Sequence, residues 1–185
     1  AIKPQRGFYD TSELPFQGLK GTGEEVKAIG KLLGVEPLLR AEATEAAVKQ
    51  VKSPFILHIA THGLFETTTN PKDPTIDKDS LLRSSLVLAG VKEEKIDGDN
   101  GLLTALEATG LNLLGTELVV LSACDTGVGG ISPGDGVYGL RRAFAIAGAQ
   151  SQIISLWKVD DQGTKDLMVK YYQRLLNGNI GRTEA

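Results

Sequence analysis

Apolar positions along this chain follow two rhythms that alternate from one end to the other. Val26, Ile29, Leu32 and Leu33 recur at the spacing of a helix's buried stripe, and Gly34 is placed to close it. Gly21-Thr22-Gly23, just ahead, reads as turn glycines leading into that helix. Residues 35–39 read as a short strand, and Thr44 can cap a helix running through Val51. Residues 55–60 form an almost unbroken apolar run, the pattern of a strand buried on both faces, ending at Thr61-His62-Gly63. The polar stretch 65–80, with Pro71 and Pro74, predicts a long surface loop. Residues 86–88 predict another strand, 92–100 a charged turn and 102–109 a short helix. Residues 118–121 carry the strongest central-strand pattern and run straight into Ser122-Ala123-Cys124. A glycine-rich loop, 127–136, precedes a helix with Val137, Leu140, Phe144 and Ala147 on one face. Residues 153–157 predict a further strand. The last helix is expected to begin near Asp161 and to bury Leu167, Met168, Tyr171 and Leu175 ahead of Gly178.

Strands that alternate with helices call for an α/β fold, with a mostly parallel sheet covered on both faces. In such sheets the site lies outside the carboxyl ends of the strands. His62 follows one buried strand and Cys124 ends another, so both are expected at the same edge. No internal repeat is visible.

Composition narrows the function. The chain has 185 residues, 41% of them hydrophobic, enough for one domain with a sizeable core. A formal charge of −3 and the lack of a basic stretch argue against a nucleic-acid partner. No apolar run approaches the ~20 residues that span a bilayer, and no signal-peptide pattern opens the chain, so no membrane role is expected. With one cysteine no internal disulfide can form, which suits a cytoplasmic setting. Residues 1–10 carry no motif, and 1–20 read as a lead-in to a domain over 21–185. The last residues, 181–185, resemble the opening turn of a further helix, so the chain is expected to be a fragment of a longer protein.

A lone cysteine is by base rate a buried packing residue. Position changes that reading for Cys124. A thiol attacks a carbonyl as the thiolate, and an imidazole can take its proton and return it to the leaving amine. The tetrahedral oxyanion then needs backbone N–H donors. His62-Gly63 and Ala123-Cys124 carry the residue types for all three tasks. Other polar residues read more simply. His58 is expected as a hydrogen-bonded core histidine, Asp135 as a helix cap, and Arg141-Arg142 as a solvated face. Residues 127–130 are turn glycines, since neither a phosphate-loop nor a dinucleotide fingerprint follows. No metal-ligand spacing is present, calcium ligands included, and no cofactor is expected.

The caspase signature Q-A-C-[RQG]-G shares its Ala-Cys pair with Ser122-Ala123-Cys124-Asp125-Thr126-Gly127, though not its glutamine. Four linked segments are more specific: Ile59-Ala60-Thr61-His62-Gly63; Val119-Val120-Leu121-Ser122-Ala123-Cys124-Asp125-Thr126-Gly127; Gly136-Val137-Tyr138-Gly139-Leu140-Arg141-Arg142-Ala143-Phe144; and Ser155-Leu156-Trp157-Lys158-Val159-Asp160-Asp161. In this order they resemble the CHAT family, caspase-like domains often joined to tetratricopeptide repeats and related to separases and metacaspases. Asp135 stands where the family often has glutamate, a conservative departure. The resemblance implies a caspase–haemoglobinase-like three-layer sandwich and a cysteine endopeptidase. Its dyad would be His62 and Cys124, with the backbone N–H groups of Gly63 and Cys124 as oxyanion hole. It implies a protein or peptide substrate and a fused or bound regulatory region such as tetratricopeptide repeats. Asp161 aligns with the separase aspartate that receives a basic P1 residue. Asp160 stands beside it, and Ser122 occupies the place of a metacaspase acid. Cleavage after Arg or Lys is therefore expected. The alternatives are a catalytically silent caspase-like interaction domain, which would leave Cys124 unlabelled by a cysteine probe, and a hydrolase of small acyl substrates, which would turn over esters and not peptides.

Overall fold

The computed structural model describes residues 19–65, 81, 83–91, 99–125, 135–155, 160–178 and 180–185. Residues 66–80 of the expected loop, most of the charged turn over 92–100 and nearly all of the glycine-rich loop over 127–136 fall outside these residues, while Phe65, expected in the loop, is in a strand.

Helix α1 spans Lys20–Leu33 and ends on Gly34, whose φ of 69° is the left-handed conformation that glycine adopts without penalty. The chain then doubles back so closely that a Cβ on Gly30 would meet the Val35 carbonyl oxygen at 2.6 Å. Gly21-Thr22-Gly23 belongs to the first turn of α1 and not to a turn before it, with Thr22 donating to the Leu19 carbonyl at 2.8 Å. The inward line of α1 runs through Glu25, Ile29 and Leu33, and Leu32, one position off it, is exposed. Residues 35–39 form no strand. Val35 and Leu38 are more than half exposed and Pro37 lacks an N–H for a ladder. Thr44 caps α2 as expected, accepting from Ala47 N at 3.1 Å, but α2 is short, Glu45–Lys49.

Five strands form one sheet in the order β3-β2-β1-β4-β5, with β1 Ile56–Phe65, β2 Ser84–Val87, β3 Leu102–Thr104, β4 Leu118–Asp125 and β5 Gln152–Ile154. β1 pairs parallel with β4 and β4 with β5, while β2 runs antiparallel to both β1 and β3. The sheet is thus mostly parallel, with β2 alone reversed. The helix expected over 102–109 is split. Leu102–Thr104 joins the sheet edge, and a four-residue helix, α3 Ala105–Ala108, starts at a capping box between Thr104 and Glu107.

β4 shows why the layers form. Leu118 and Val120 face one cluster with Ile29, Met168, Tyr171 and Tyr172, built by α1 and by α5 Asp161–Asn177. Val119, Leu121 and Ala123 face the other, with Leu140, Ala143 and Phe144 of α4, Asp135–Ile146. Burial on both faces accounts for the continuous apolar run. In α5 the inward positions are Met168, Tyr171, Tyr172 and Leu175. Leu167 is 62% exposed, because an i, i+3, i+4, i+7 stripe that starts at 168 leaves 167 outside it. On α4, Arg141 and Arg142 are exposed as expected. The side chains of Asp135 and Val137 lie outside the described residues. Among the described residues, no helix is long and apolar enough to cross a membrane.

Candidate active site

The register of β1 against β4 pairs His62 with Cys124 and Gly63 with Asp125. Neighbouring strands lie about 4.8 Å apart, so the two backbones meet side by side in the carboxyl-terminal halves of adjacent parallel strands. Neither residue ends its strand, as the sequence had led us to expect. β1 continues to Phe65 because β2 supplies a second ladder there, pairing His62 with Val87 and Phe65 with Ser84. The Thr61 hydroxyl adds a bond to the Val87 carbonyl next to His62. β4 likewise carries Cys124 inside its ladder and ends at Asp125. His62 is half-buried and Gly63 buried. The Cys124 side chain lies outside the described residues.

Side chains alternate along a strand, and paired residues of parallel strands share a face. Ile56, His58, Ala60 and His62 therefore stand on the same face as Leu118, Val120, Ser122 and Cys124. That face is covered by α1 and α5, and it holds a buried polar chain. Ser122 Oγ donates to Glu25 Oε2 at 3.0 Å, His58 Nε2 lies 3.1 Å from Glu25 Oε1, and His58 Nδ1 lies 3.1 Å from the Tyr172 hydroxyl. Both ring nitrogens of His58 are thus engaged, and the carboxylate and both hydroxyls of the chain have partners. His58 is the hydrogen-bonded core histidine that its apolar strand predicts. Burial pushes the Tyr172 hydroxyl pKa up, with the Tyr171 ring and the Glu25 carboxylate adding to the effect.

Glu25 and Tyr172 were absent from the sequence-based site. The available signal was position: Glu25 falls four residues before Ile29 on the inward line of α1, and Tyr172 four after Met168 on that of α5. Of the acidic residues expected near the substrate, Asp160 is exposed and caps α5, accepting from Gly163 N at 2.8 Å. Asp161 opens α5, and its side chain lies outside the described residues. The Lys165–Glu24 ion pair, 2.5 Å, joins the second turn of α5 to the start of α1. Ser122 is 6% exposed, its hydroxyl turned to Glu25. Among the described residues, no group of three His, Cys, Asp or Glu side chains is placed to hold a metal ion.

The sequence model of the CHAT domain matches residues 3–185. The chain belongs to the CHAT-domain family. Tetratricopeptide repeat protein 28 of Homo sapiens is 31% identical to it over 173 residues, covering 84% of this chain and 7% of that protein. The Mus musculus protein of the same name is 30% identical over 173 residues, with the same coverage. This CHAT domain therefore spans only a small part of the length of the curated relatives it matches. No solved structure matches it.

Proposed function

We propose that this CHAT domain is a caspase-like cysteine endopeptidase with a caspase–haemoglobinase-like three-layer fold, cleaving a protein substrate after arginine or lysine. The observation that carries this reading is the register that sets His62 beside Cys124 on one sheet face. Cys124 Sγ attacks the scissile carbonyl, and His62 takes the thiol proton and passes it to the leaving amine. The N–H groups of Gly63 and Cys124 stabilise the oxyanion, and Gly63 puts no side chain in the way of the carbonyl. A thioester forms as the amine departs, and water then releases the acid. Asp161 supplies acidity to the P1 pocket with Asp160 and Ser122 alongside. Asp160 is the weaker contributor, because its carboxylate already serves the α5 cap. The chemistry requires no cofactor. The tetratricopeptide-repeat name of its relatives supports a regulatory region of that kind, fused or bound. The lone cysteine suits a cytoplasmic setting.

The test is a fluorogenic P1 scan on the wild type, Cys124→Ala and Asp161→Ala. Cleavage should favour basic P1 residues, vanish in Cys124→Ala and lose that preference in Asp161→Ala. Peptide cleavage that survives Cys124→Ala removes the mechanism. An unchanged preference in Asp161→Ala removes that residue from the pocket.

A further inference from the structure

β5 is an edge of the sheet, and among the described residues no strand pairs with its outer side. Val119 N donates to the Ser151 carbonyl at 2.9 Å, and Ser155 N to the Leu121 carbonyl at 3.2 Å. A parallel ladder uses alternate residues of a strand, so Ile153 also turns its backbone groups to β4. The N–H and C=O groups of Gln152 and Ile154 then point outward, along the open edge. Gln152 pairs with Val119 and Ile154 with Leu121, which places their side chains on the α4 side of the sheet.

A groove of about 450 Å³ lies beside this edge, lined by Tyr138, Arg141 and Arg142 of α4 and by Gln150, Ser151 and Gln152. Both arginines are exposed, and among the described residues neither guanidinium has an ion-pair or hydrogen-bond partner. Arg182 differs, since its guanidinium is taken up by Glu117 at 2.9 Å. Gln152 donates Nε2 to the Arg141 carbonyl at 3.0 Å, which leaves its buried Oε1 an acceptor that no described residue satisfies. Guanidinium groups match carboxylates in shape and charge, and an open ladder matches an extended backbone.

We propose that this groove is a docking site for an extended acidic peptide, which adds a strand to the outer side of β5 and sets its carboxylates against Arg141 and Arg142. Side chains alternate along a strand, so the acidic residues fall at every second position of the peptide, on the α4 side. A free anion uses the arginines alone, and a neutral strand uses the ladder alone. The groove offers both to one occupant. It lies across the sheet from the face that carries His62 and Cys124, so docking here does not depend on the peptidase reading.

The probe is a fluorescent Glu-Val-Glu-Val-Glu peptide, and its binding to the full-length protein is read by anisotropy. It should bind, more weakly as salt is added, and its Lys-Val-Lys-Val-Lys counterpart should not. Arg141→Ala combined with Arg142→Ala should weaken binding by about 10-fold, the order expected of two exposed charge pairs. Two further probes carry N-methyl groups, on the glutamates in one and on the valines in the other. At least one should fail to bind, because one set of amides faces β5. No binding of the glutamate probe, equal binding of the lysine one, or an affinity that the double variant leaves unchanged overturns the proposal. Binding by both methylated probes overturns it as well, since the arginines alone then hold the peptide. So does hydrogen exchange that finds the Gln152 and Ile154 amides protected before any probe is added, the edge then being filled by the protein's own chain.

Discussion

Glu45 and Glu25 are both buried, and they are satisfied in opposite ways. Glu45 sits at the first turn of α2 and closes a turn 55 residues or more away, accepting the N–H groups of Asn100 and Gly101 at 3.1 Å each while Lys49 supplies the cation. Asp99 adds to that turn by accepting from Ala46 N at 3.1 Å. Burial nevertheless pushes the Glu45 pKa up to about 7, against the opposing pull of Lys49. Glu25 closes no turn, and among the described residues no lysine or arginine pairs with it, its ion-pair contact being the His58 imidazole. It lies under the sheet face that carries His62 and Cys124, held by side chains of β1 and β4. A buried acid that brings its own cation and backbone donors belongs to the architecture. One held by an imidazole and a hydroxyl from two neighbouring strands ties a helix to the sheet instead.

The sharpest way to break this contrast is to remove each carboxylate and measure unfolding. Glu45→Ala takes the acceptor from Asn100 N, leaves Gly101 N only the longer bond to Asp99 Oδ1 at 3.3 Å, and should cost about 1–3 kcal/mol in denaturant unfolding. Glu25→Gln keeps an acceptor for Ser122 or His58 and should cost about 1 kcal/mol. If Glu25→Gln proves the more damaging, the two carboxylates have been assigned the wrong way round.

The pH dependence of stability separates them next. Because the folded pKa of Glu45 is raised, the folded state holds its proton more tightly than the unfolded chain. The Glu45 contribution is full below the unfolded value of 4.5 and is lost as pH rises through about 7. The stability advantage of the wild type over Glu45→Gln should therefore shrink between those two values, as followed by urea unfolding at stepped pH. A difference that stays flat or grows contradicts the assignment.

Smaller effects mark the edges of the Glu25 chain. Tyr172→Phe removes the hydroxyl that His58 Nδ1 meets and should cost about 1 kcal/mol. Lys165→Ala breaks an exposed ion pair with Glu24, and thermal melts should barely register it.

Much of this frame could be read in the sequence, for reasons particular residues make clear. The run through Val119, Val120 and Leu121 is apolar because both faces of β4 are covered, so its central place could be read directly. Gly34 announced the end of α1 through its left-handed turn. Residues 35–39 misled because an apolar segment can lie exposed, and 102–109 misled because β3 hands over to α3 at Thr104 within a single short apolar stretch. His62 and Cys124 stood out because each comes at the end of an apolar run in the sequence. Their register was not visible, since it depends on a pairing between strands some 60 residues apart. Glu25 could not have been found from its neighbours in sequence. Ser122 lies 97 positions away, and only the packing of α1 across β1 and β4 brings the two together.

The central claim is that His62 activates Cys124, and the pH dependence of Cys124 alkylation tests it most directly. An unassisted thiol with pKa near ~8.5 is almost wholly protonated at pH ~6 and reacts slowly. Iodoacetamide labelling of Cys124, followed by mass at that pH, should be at least about 10-fold faster in the wild type than in His62→Ala, in keeping with the gain a paired imidazole gives a thiol. Equal rates in the two proteins would contradict the dyad.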